Sequence, residues 1–320
     1  MNASPHNILV IGPSWVGDMV MSQVLYIFLQ QSRPGVAIDV LAPAWSEPLL
    51  QRMPQVRSAI TMPVGHGELG LGRRWRLGRE LRARRYDQAL LLPNSFKSAL
   101  VPFFARIRRR TGWRGEQRYG LVNDLRVLDE QALPLMVQRF VALGQAPGEA
   151  MPARLPAPRL AIDRDQALDC GNRLGLAPER PLLALCPGAE FGGAKRWPDT
   201  YYAELAERYL EKGWQVALFG SANDQPVTAV IREQCGNHPR CLDLAGRTRL
   251  AEAVDLLSLA TAVVSNDSGL MHIAAALARP LVVVYGATSP DFTPPLSDNA
   301  AIVASEIECA PCFLRECPRG

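Results

Sequence analysis

The chain has 320 residues, of which 48% are hydrophobic, and a mean hydropathy of −0.02, values typical of a globular protein of about two domains. No apolar run approaches the ~20 residues of a membrane span, and Pro13, Gly17 and Asp18 interrupt the apolar start, which argues against a secretory signal peptide. The net charge is +4, but residues 1–150 carry an excess of eight positive charges and residues 151–320 an excess of four negative ones.

The first half of the chain alternates between short, β-branched apolar runs and longer amphipathic patterns. Strands are predicted at 7–12, 36–41, 58–62, 87–92 and 108–112. Helices are predicted at 18–31, 45–52, 70–85, 96–105 and 134–144. This alternation is typical of a parallel sheet with right-handed crossovers.

A segment with four prolines and little periodicity, residues 145–160, has the composition of a linker. The alternation then restarts. Strands are predicted at 182–186, 214–219, 242–244, 262–265 and 281–285, and helices at 163–174, 199–212, 223–235, 250–260 and 268–278. We therefore predict an α/β protein with two Rossmann-like domains, 1–150 and 151–320, that face each other across a cleft.

Two arginine-rich segments, residues 73–85 and 106–118, create the positive charge of the first half. A basic half favours an anionic partner such as nucleic acid, a phosphorylated glycolipid or a membrane surface. Arginine outnumbers lysine by 32 to 3, so part of this charge reflects composition, and we expect any single arginine to be a solvated surface residue. No nucleic-acid recognition motif accompanies the arginines, so no nucleic-acid partner is expected.

The loop after the first predicted strand ends at Asp18, where a helix begins. Aspartate is a favoured N-cap residue, and this interpretation is strong from the residues alone. A carboxylate at the carboxyl end of a strand is also well placed as a general base, and Gly12 and Gly17 let a ligand approach the backbone. The loop does not match the Gly-x-Gly-x-x-Gly dinucleotide motif.

A second loop, residues 266–272, opens a helix with small residues. The amides of its first turn would form an anion site suited to a diphosphate, reinforced by the helix dipole: Ser268, Gly269 and Leu270. Asp267 would repel phosphate, so we expect it to accept a hydrogen bond from a sugar hydroxyl. The alternative is an N-cap, with His272 as a core or capping residue.

A third loop, residues 186–198, follows a buried strand and contains three glycines and the pair Lys195-Arg196. This composition is typical of a phosphate-binding loop, although the loop does not match the Walker motif. Lys195 could stabilise negative charge on a leaving diphosphate. Asp224 follows the strand at 214–219, at the position where ribose hydroxyls are bound in such sheets.

Six ordered motifs resemble the bacterial ADP-heptose:lipopolysaccharide heptosyltransferases, and most of all the heptosyltransferase II group. They are GPSWVGD (12–18), LPNSFKSAL (92–100), RTGWRG (110–115), CPGAEFGGAKRWP (186–198), NDSGLMH (266–272) and YGATSPDFTPP (285–295). The likeness spans nearly the whole chain. It implies a GT-B fold and inverting, metal-independent transfer without a cofactor, from ADP-L-glycero-β-D-manno-heptose to the first heptose of the Kdo–lipid A inner core.

The resemblance also implies roles for individual residues. Asp18 matches the catalytic base and Lys195 the diphosphate-binding lysine. The donor-binding positions that match are Asp267, Ser268, Gly269 and Leu270, with Asp224 and Thr248 near ribose and adenine. Candidates for acceptor binding are Ser14, Trp15, Lys97 and Arg114, together with the two arginine-rich segments.

In the implied mechanism, Asp18 takes the proton of the acceptor hydroxyl while its oxygen attacks the anomeric carbon, which gains oxocarbenium character. Lys195 and the helix amides stabilise the departing diphosphate in place of a divalent cation. Phosphates and Kdo carboxylates on the acceptor would explain the basic first half. The implied location is cytoplasmic, as a peripheral protein at the cytoplasmic face of the inner membrane.

Two features near the C-terminal end depart from the pattern expected for this family. GT-B transferases usually finish with a helix that crosses back onto the first domain, and no such helix is expected before Gly320. Cys309, Cys312 and Cys317 resemble part of a metal site, but zinc normally needs four ligands at tighter spacing, so free thiols are expected.

Other functions stay open at this point. One is a heptosyltransferase that acts on Kdo or on another core position. A nucleotide-sugar epimerase would need acid and base groups beside the donor sugar, whereas Asp18 favours transfer. A non-catalytic nucleotide-sugar-binding or lipid A-binding protein would bind the donor without turnover.

Overall fold

The computed structural model describes residues 7–65, 67–190, 192–304 and 307–318. Two compact units make up the chain, Met1–Pro158 (unit 1) and Arg159–Gly320 (unit 2). The division falls within the proline-rich segment 145–160. Within the described ranges, no helix combines the length and the apolar character that a bilayer crossing requires.

Unit 1 is a parallel six-stranded sheet with helices between its strands. Its strands are β1 (Asn7–Ile11), β2 (Ala37–Ala42), β3 (Val56–Thr61), β4 (Gln88–Leu91), β5 (Arg109–Trp113) and β6 (Asp124–Arg126), in the spatial order β3-β2-β1-β4-β5-β6. Its helices are α1 (Val16–Ser32), α2 (Glu47–Leu50), α3 (Leu71–Leu81), α4 (Leu100–Phe104) and α5 (Met136–Gly144).

Unit 2 repeats this plan without detectable sequence repetition. Its strands are β7 (Leu182–Cys186), β8 (Gln215–Leu218), β9 (Cys241–Asp243), β10 (Ala262–Asn266), β11 (Leu281–Tyr285) and β12 (Ala300–Ala304), in the order β12-β11-β10-β7-β8-β9. Its helices are α6 (Arg164–Arg173), α7 (Asp199–Glu211), α8 (Gln225–Gln234), α9 (Leu250–Ser258) and α10 (Gly269–Ala276).

Both sheets have the Rossmann strand order, in which the direction of chain progression reverses beside the first strand. The reversal lies between β1 and β4 in unit 1 and between β7 and β10 in unit 2. At such a point the loops after the two strands diverge and leave a crevice at the carboxyl edge. The motifs after β1, β4, β7 and β10 are therefore all at the position where this fold binds ligands.

The central strands are apolar because both of their faces are covered. Ile8, Leu9 and Val10 are completely buried, and β7 is buried along its whole length. Parallel strands covered on both faces lack the alternating pattern of half-exposed strands, which explains why they are continuous apolar runs. The cores fix the strand ends, and these in turn fix the loops that follow them.

All ten predicted strands are present, with ends that differ by at most two residues. Two strands were not predicted. β6 is only three residues long with the sequence Asp-Leu-Arg, and β12 is an edge strand with four exposed residues. The helices predicted at 45–52 and 96–105 each consist of a 3₁₀ turn followed by a short α-helix, α2 and α4.

Unit 1 contains a carboxylate within its sheet. Asp39 lies in β2 and is shielded from solvent. Arg57 Nε and Nη2 donate to it at 2.8 Å each, Arg84 Nη1 at 2.9 Å and Tyr86 Oη at 2.6 Å. Burial acts to raise the pKa of Asp39, but the hydrogen bonds from Arg57, Tyr86 and Arg84 outweigh it, so the pKa is lowered.

Asp39→Asn is expected to lower the free energy of unfolding of unit 1 by about 2–4 kcal/mol, because Arg57 and Arg84 lose a buried anionic partner. The folded-state pKa lies below the unfolded value of about 3.9, so this stabilisation is present above that value and is lost as pH falls through the folded-state pKa. Urea denaturation at pH 7 and at decreasing pH measures both effects. Asp129→Asn, at an exposed carboxylate, is the control, and equal losses in the two variants would contradict the role of Asp39.

Candidate active site

The loop between β1 and α1 places Asp18 in the first turn of a helix. The N-cap of α1 is Trp15, with extended backbone angles of φ −113° and ψ 145°, and Met19 N donates to Trp15 O at 2.9 Å. The interpretation of Asp18 as the N-cap is therefore wrong, because the helix begins two residues before it. Asp18 is half-buried, and the dipole of α1 favours a negative charge at this position.

Gly12 directly follows β1, and its lack of a side chain lets the backbone pack closely against neighbouring residues. A Cβ at this position would lie 3.0 Å from Met19 Cε and 3.2 Å from side-chain atoms of Ala42 and Val40. The loop is thus pressed between α1 and β2, and a larger residue would displace the first turn that carries Asp18. Ser14 and Trp15 follow, and both side chains are exposed.

A cavity of about 490 Å³ lies in unit 1 at the carboxyl edge of its sheet. Three of the four predicted acceptor-binding residues line it: Ser14, Trp15 and Lys97. The fourth, Arg114, does not. Its side chain is exposed after β5, and its main-chain N–H donates to Arg126 O at 2.6 Å.

Arg74 also lines this cavity and was not singled out by the sequence. It is only 4% exposed, although the arginines were individually expected to be solvated. Arg74 Nε donates to Leu69 O at 2.6 Å and Nη1 to Lys97 O at 3.3 Å. These acceptors are main-chain carbonyls, which do not neutralise the charge, so Arg74 contributes a positive charge to the cavity wall. Burial lowers its pKa, with a further contribution from Arg73.

Arg118 is a second arginine that contradicts the expectation of a solvated position. It is 1% exposed, and Nη1 donates to Pro93 O at 2.8 Å and to Ser98 Oγ at 3.1 Å. Nη2 donates to Trp113 O at 2.5 Å. Arg118 therefore holds the loop after β4, which carries Lys97, against the end of β5. Arginine-rich sequence alone does not distinguish such a structural residue from a surface one.

In unit 2, Lys195 and Asp267 form an ion pair at the point where strand order reverses. Lys195 lies in a 3₁₀ turn of the loop after β7, and Asp267 directly follows β10. Lys195 Nζ is 2.7 Å from Asp267 Oδ2, and the two side chains are 15% and 5% exposed. The sequence assigned these residues to one ligand without predicting that they contact each other.

Asn266 holds the loop of Lys195 in place. Its side chain is completely buried and donates from Nδ2 to Pro187 O at 2.7 Å. Its Oδ1 accepts from Trp197 N at 2.9 Å and from Tyr202 Oη at 3.0 Å. The side-chain amide of Asn266 therefore binds both the start and the end of this loop to β10. The presence of a polar residue at the end of an apolar strand is a sequence signal that could have indicated this role.

The helix after Asp267 begins at Gly269, with Ser268 as its N-cap. The alternative of Asp267 as the N-cap is therefore wrong, since its carboxylate binds Lys195 instead. Ser268, Gly269 and Leu270 are partly accessible, and first-turn amides have no acceptor within their own helix. This end of α10 is suited to a phosphate group. His272 is buried, in agreement with the core interpretation.

Asp224 and Thr248 lie in the loops after β8 and β9, at the same edge of the sheet. Asp224 Oδ2 accepts from Ser221 N and Ser221 Oγ, both at 2.8 Å, so this carboxylate caps its own 3₁₀ turn. A Cβ at Gly188 would collide with the Asp224 carboxyl group, which places Asp224 directly against the loop after β7. Thr248 is half-buried, and its hydroxyl lies 3.5 Å from Leu244 O.

Cys309, Cys312 and Cys317 are free thiols in the part of the chain that the structure describes. No group of three or more His, Cys, Asp or Glu side chains within the described residues is arranged to hold a metal ion. Cys170, Cys186, Cys235 and Cys241 are buried and also free.

Comparison with solved structures defines the class of protein. A structure of Escherichia coli ADP-heptose LPS heptosyltransferase II matches this chain with a TM-score of 0.86 and 53% identity, over 93% of this chain and 90% of that one. A family 9 glycosyltransferase of Veillonella parvula has the same fold, with a TM-score of 0.84 at 19% identity over 95% and 87% of the two chains. The protein is a glycosyltransferase of the GT-B type, as predicted.

The chain belongs to glycosyltransferase family 9 (heptosyltransferase), whose family model matches residues 74–320. Lipopolysaccharide heptosyltransferase 2 of Escherichia coli K12 is 55% identical over 303 residues, which are 92% of this chain and 87% of that protein. Lipooligosaccharide heptosyltransferase 2 of Haemophilus influenzae is 53% identical over 306 residues, 93% and 88% of the two chains. The family resemblance of the six motifs is thereby confirmed.

His272 is expected to make the stability of unit 2 depend on pH. Burial lowers its pKa to about 4; Asp267 acts to raise it, and Lys195 to lower it. The unfolded chain, with a histidine pKa of about 6.5, binds more protons than the folded chain between those two values. Stability therefore falls as pH decreases from about 6.5 towards 4, by up to about 3 kcal/mol.

His272→Gln should flatten this part of the pH profile, because glutamine does not titrate. Denaturant unfolding of the full chain at several pH values between 4 and 7 gives the slope. His238→Gln, in the same unit and at a partly exposed position, is the control for the substitution itself. A His272→Gln profile as steep as that of the unchanged protein would contradict the assignment.

Proposed function

We propose that this heptosyltransferase moves L-glycero-D-manno-heptose from ADP-heptose to the first heptose of the lipopolysaccharide inner core on Kdo–lipid A. The relatives named heptosyltransferase 2, at 53–55% identity over more than nine-tenths of the chain, and the similar structure of an ADP-heptose LPS heptosyltransferase II support heptose transfer from ADP-heptose to lipopolysaccharide. The observation that carries the proposal is the Lys195–Asp267 pair beside the first turn of α10. It offers a cation, main-chain amides and a carboxylate to one sugar nucleotide.

Unit 2 is proposed to bind the donor. The diphosphate would accept hydrogen bonds from Lys195 and from the amides of Ser268, Gly269 and Leu270. Asp267, 2.7 Å from Lys195, would accept from a heptose hydroxyl next to the diphosphate. The loops of Asp224 and Thr248 at the same edge would hold ribose and adenine. These charges stabilise the ADP leaving group without a divalent cation.

Unit 1 is proposed to bind the acceptor in its cavity. Arg74 and Lys97 supply positive charge for phosphates or Kdo carboxylates, while Trp15 and Trp45 offer flat apolar surfaces that suit sugar rings. A lipid-linked acceptor requires the enzyme to work at a membrane surface. We therefore propose that it acts as a peripheral protein at the cytoplasmic face of the inner membrane, with no nucleic-acid partner.

Asp18 is proposed as the general base of an inverting reaction. The carboxylate takes the proton of the acceptor hydroxyl while that oxygen forms a bond to the anomeric carbon. The bond from this carbon to the ADP oxygen breaks, and the electron pair leaves with ADP. Attack from the face opposite ADP inverts the configuration of the sugar. Asp18 lies in the first turn of α1, where the helix dipole interacts favourably with a carboxylate.

The function is tested by heptose transfer from ADP-heptose to purified acceptors that end either in Kdo or in the first heptose, with EDTA present. Transfer only to the heptose-terminated acceptor is expected. Transfer to the Kdo-terminated acceptor would contradict the proposed acceptor and would show that the enzyme adds heptose to Kdo. ADP-heptose binding without transfer to either acceptor would instead indicate a binding protein.

Asp18→Asn is expected to reduce heptose transfer by about 100-fold or more, because the amide cannot accept the proton. The variant should fold and bind ADP as the unchanged enzyme does, since asparagine has nearly the same shape. Steady-state transfer and calorimetric ADP binding measure the two properties. Asp165→Asn, which also changes a first-turn aspartate, in α6, is the matched control and should retain transfer. Near-normal transfer by Asp18→Asn would exclude Asp18 as the base.

A further inference from the structure

Thr288, in the loop after β11, has no role in the site described so far. Its hydroxyl Oγ1 donates to Asp267 Oδ2 at 2.7 Å. Lys195 Nζ lies 2.7 Å from the same oxygen. Thr288 and Lys195 thus converge on one oxygen of a carboxylate that is almost completely buried. The rotation of the Asp267 side chain is constrained by both of them.

The backbone of Thr288 is fixed by its connection to the sheet. β11 pairs with β10 in parallel, with Val284 beside Asn266, and Asp267 N donates to Val284 O at 3.3 Å. Tyr285 is buried, and its hydroxyl donates to Thr293 O at 2.9 Å, which closes the loop on the far side of Thr288. The hydroxyl of Thr288 is therefore held at a fixed place relative to Asp267.

The segment 307–318 makes main-chain hydrogen bonds to both the loop of Thr288 and the loop of Lys195. Phe313 N donates to Ala287 O at 2.7 Å, directly before Thr288, and Ala194 N donates to Arg315 O at 3.0 Å, directly before Lys195. A Cβ at Gly192 would collide with the Arg315 carbonyl, so the contact requires glycine there. One short segment thus sets the positions of both groups that bind Asp267 Oδ2.

We propose that Thr288 is a positioning residue, which orients the Asp267 carboxylate so that Asp267 and Lys195 bind the sugar and the diphosphate of the donor together. This inference rests on the proposed function for the identity of the donor. Without the hydroxyl, a buried carboxylate oxygen loses one of its two donors, and this is costly because the carboxylate is shielded from solvent. Asp267 would then rotate towards other partners, and Lys195 would lose its fixed counter-ion.

Thr288→Val removes the hydroxyl and keeps the shape of the side chain. We expect kcat/KM for ADP-heptose to fall by about tenfold or more, the cost of one lost hydrogen bond to a charged group, while KM for the acceptor stays unchanged. Thr288→Ser should restore kcat/KM to within about threefold, because its hydroxyl can make the same bond. Failure of serine to rescue, or an equal change in acceptor KM, would overturn the proposal.

The matched control is Thr228→Val in the same unit. Thr228 is buried and also donates to an aspartate, Asp243 Oδ2, at 3.1 Å, but it lies on α8. The change therefore costs a similar hydrogen bond without touching Asp267. We expect it to alter stability and to leave donor kcat/KM nearly unchanged. An equal loss of kcat/KM in Thr228→Val and Thr288→Val would mean that Thr288 has only a structural role.

A second measurement does not depend on the substrate. The chain has three lysines, Lys97, Lys195 and Lys212, so trace acetylation followed by mass spectrometry can compare them directly. We expect Lys195 to be acetylated several-fold faster in Thr288→Val, relative to the other two lysines, and no such change in Thr228→Val. An unchanged Lys195 rate would overturn the positioning role, whereas absence of heptose transfer by the unchanged enzyme would overturn only the proposed function.

Discussion

The arrangement of this enzyme depends on one property of parallel sheets, namely that all strands end at the same edge. Where the strand order reverses, between β1 and β4 and between β7 and β10, two loops diverge and their polar residues face one crevice. Asp18 and Lys97 follow the first pair of strands, and Lys195 and Asp267 follow the second. Lys195 and Asp267, 72 residues apart in sequence, are thus brought into contact by apolar strands that carry no chemistry themselves.

The arginines of unit 1 have several distinct structural roles. Arg57 and Arg84 neutralise the buried Asp39, and Arg118 binds main-chain carbonyls that shape the loop of Lys97. Arg74 is also bonded to carbonyls but faces a cavity. Arginine suits these positions because its guanidinium group has five donors in a planar array and keeps its charge when buried. A high arginine content in this unit therefore contributes to its folded structure.

The strands and the loops at their ends could be predicted because both have local signals. β7 and β10 are apolar runs that stop at small and polar residues, and this pattern marked the loops that contain Lys195 and Asp267. β6 was missed because three residues, two of them charged, carry no periodic signal, and its pairing is set by β5. Thr288 and Arg74 were missed for another reason. Their roles depend on contacts with other strands and loops. The arginine-rich segment 73–85 and the motif 285–295 include these two residues but do not single them out.

The family motifs supplied information that periodicity lacks, but they did not reveal how the matched residues pair. Asp18 was placed at the N-cap by its residue type, whereas the helix begins earlier because Trp15 O accepts the first-turn bond from Met19 N. Asp224 was assigned to a ligand, and its carboxylate also caps the turn that follows β8. Residue type indicates what a side chain can bind. Only the geometry shows what it already binds.

The Lys195–Asp267 pair has a consequence for the way in which the site distinguishes ligands. Because Asp267 already pairs with the ammonium group, the pair itself adds no net charge that would draw in small anions from a distance. An isolated phosphate would have to compete with an aspartate for the same lysine. A ligand that offers a hydroxyl to the aspartate and an anion to the lysine satisfies both partners at once. Under the proposed function, the pair would favour sugar diphosphates over inorganic phosphate.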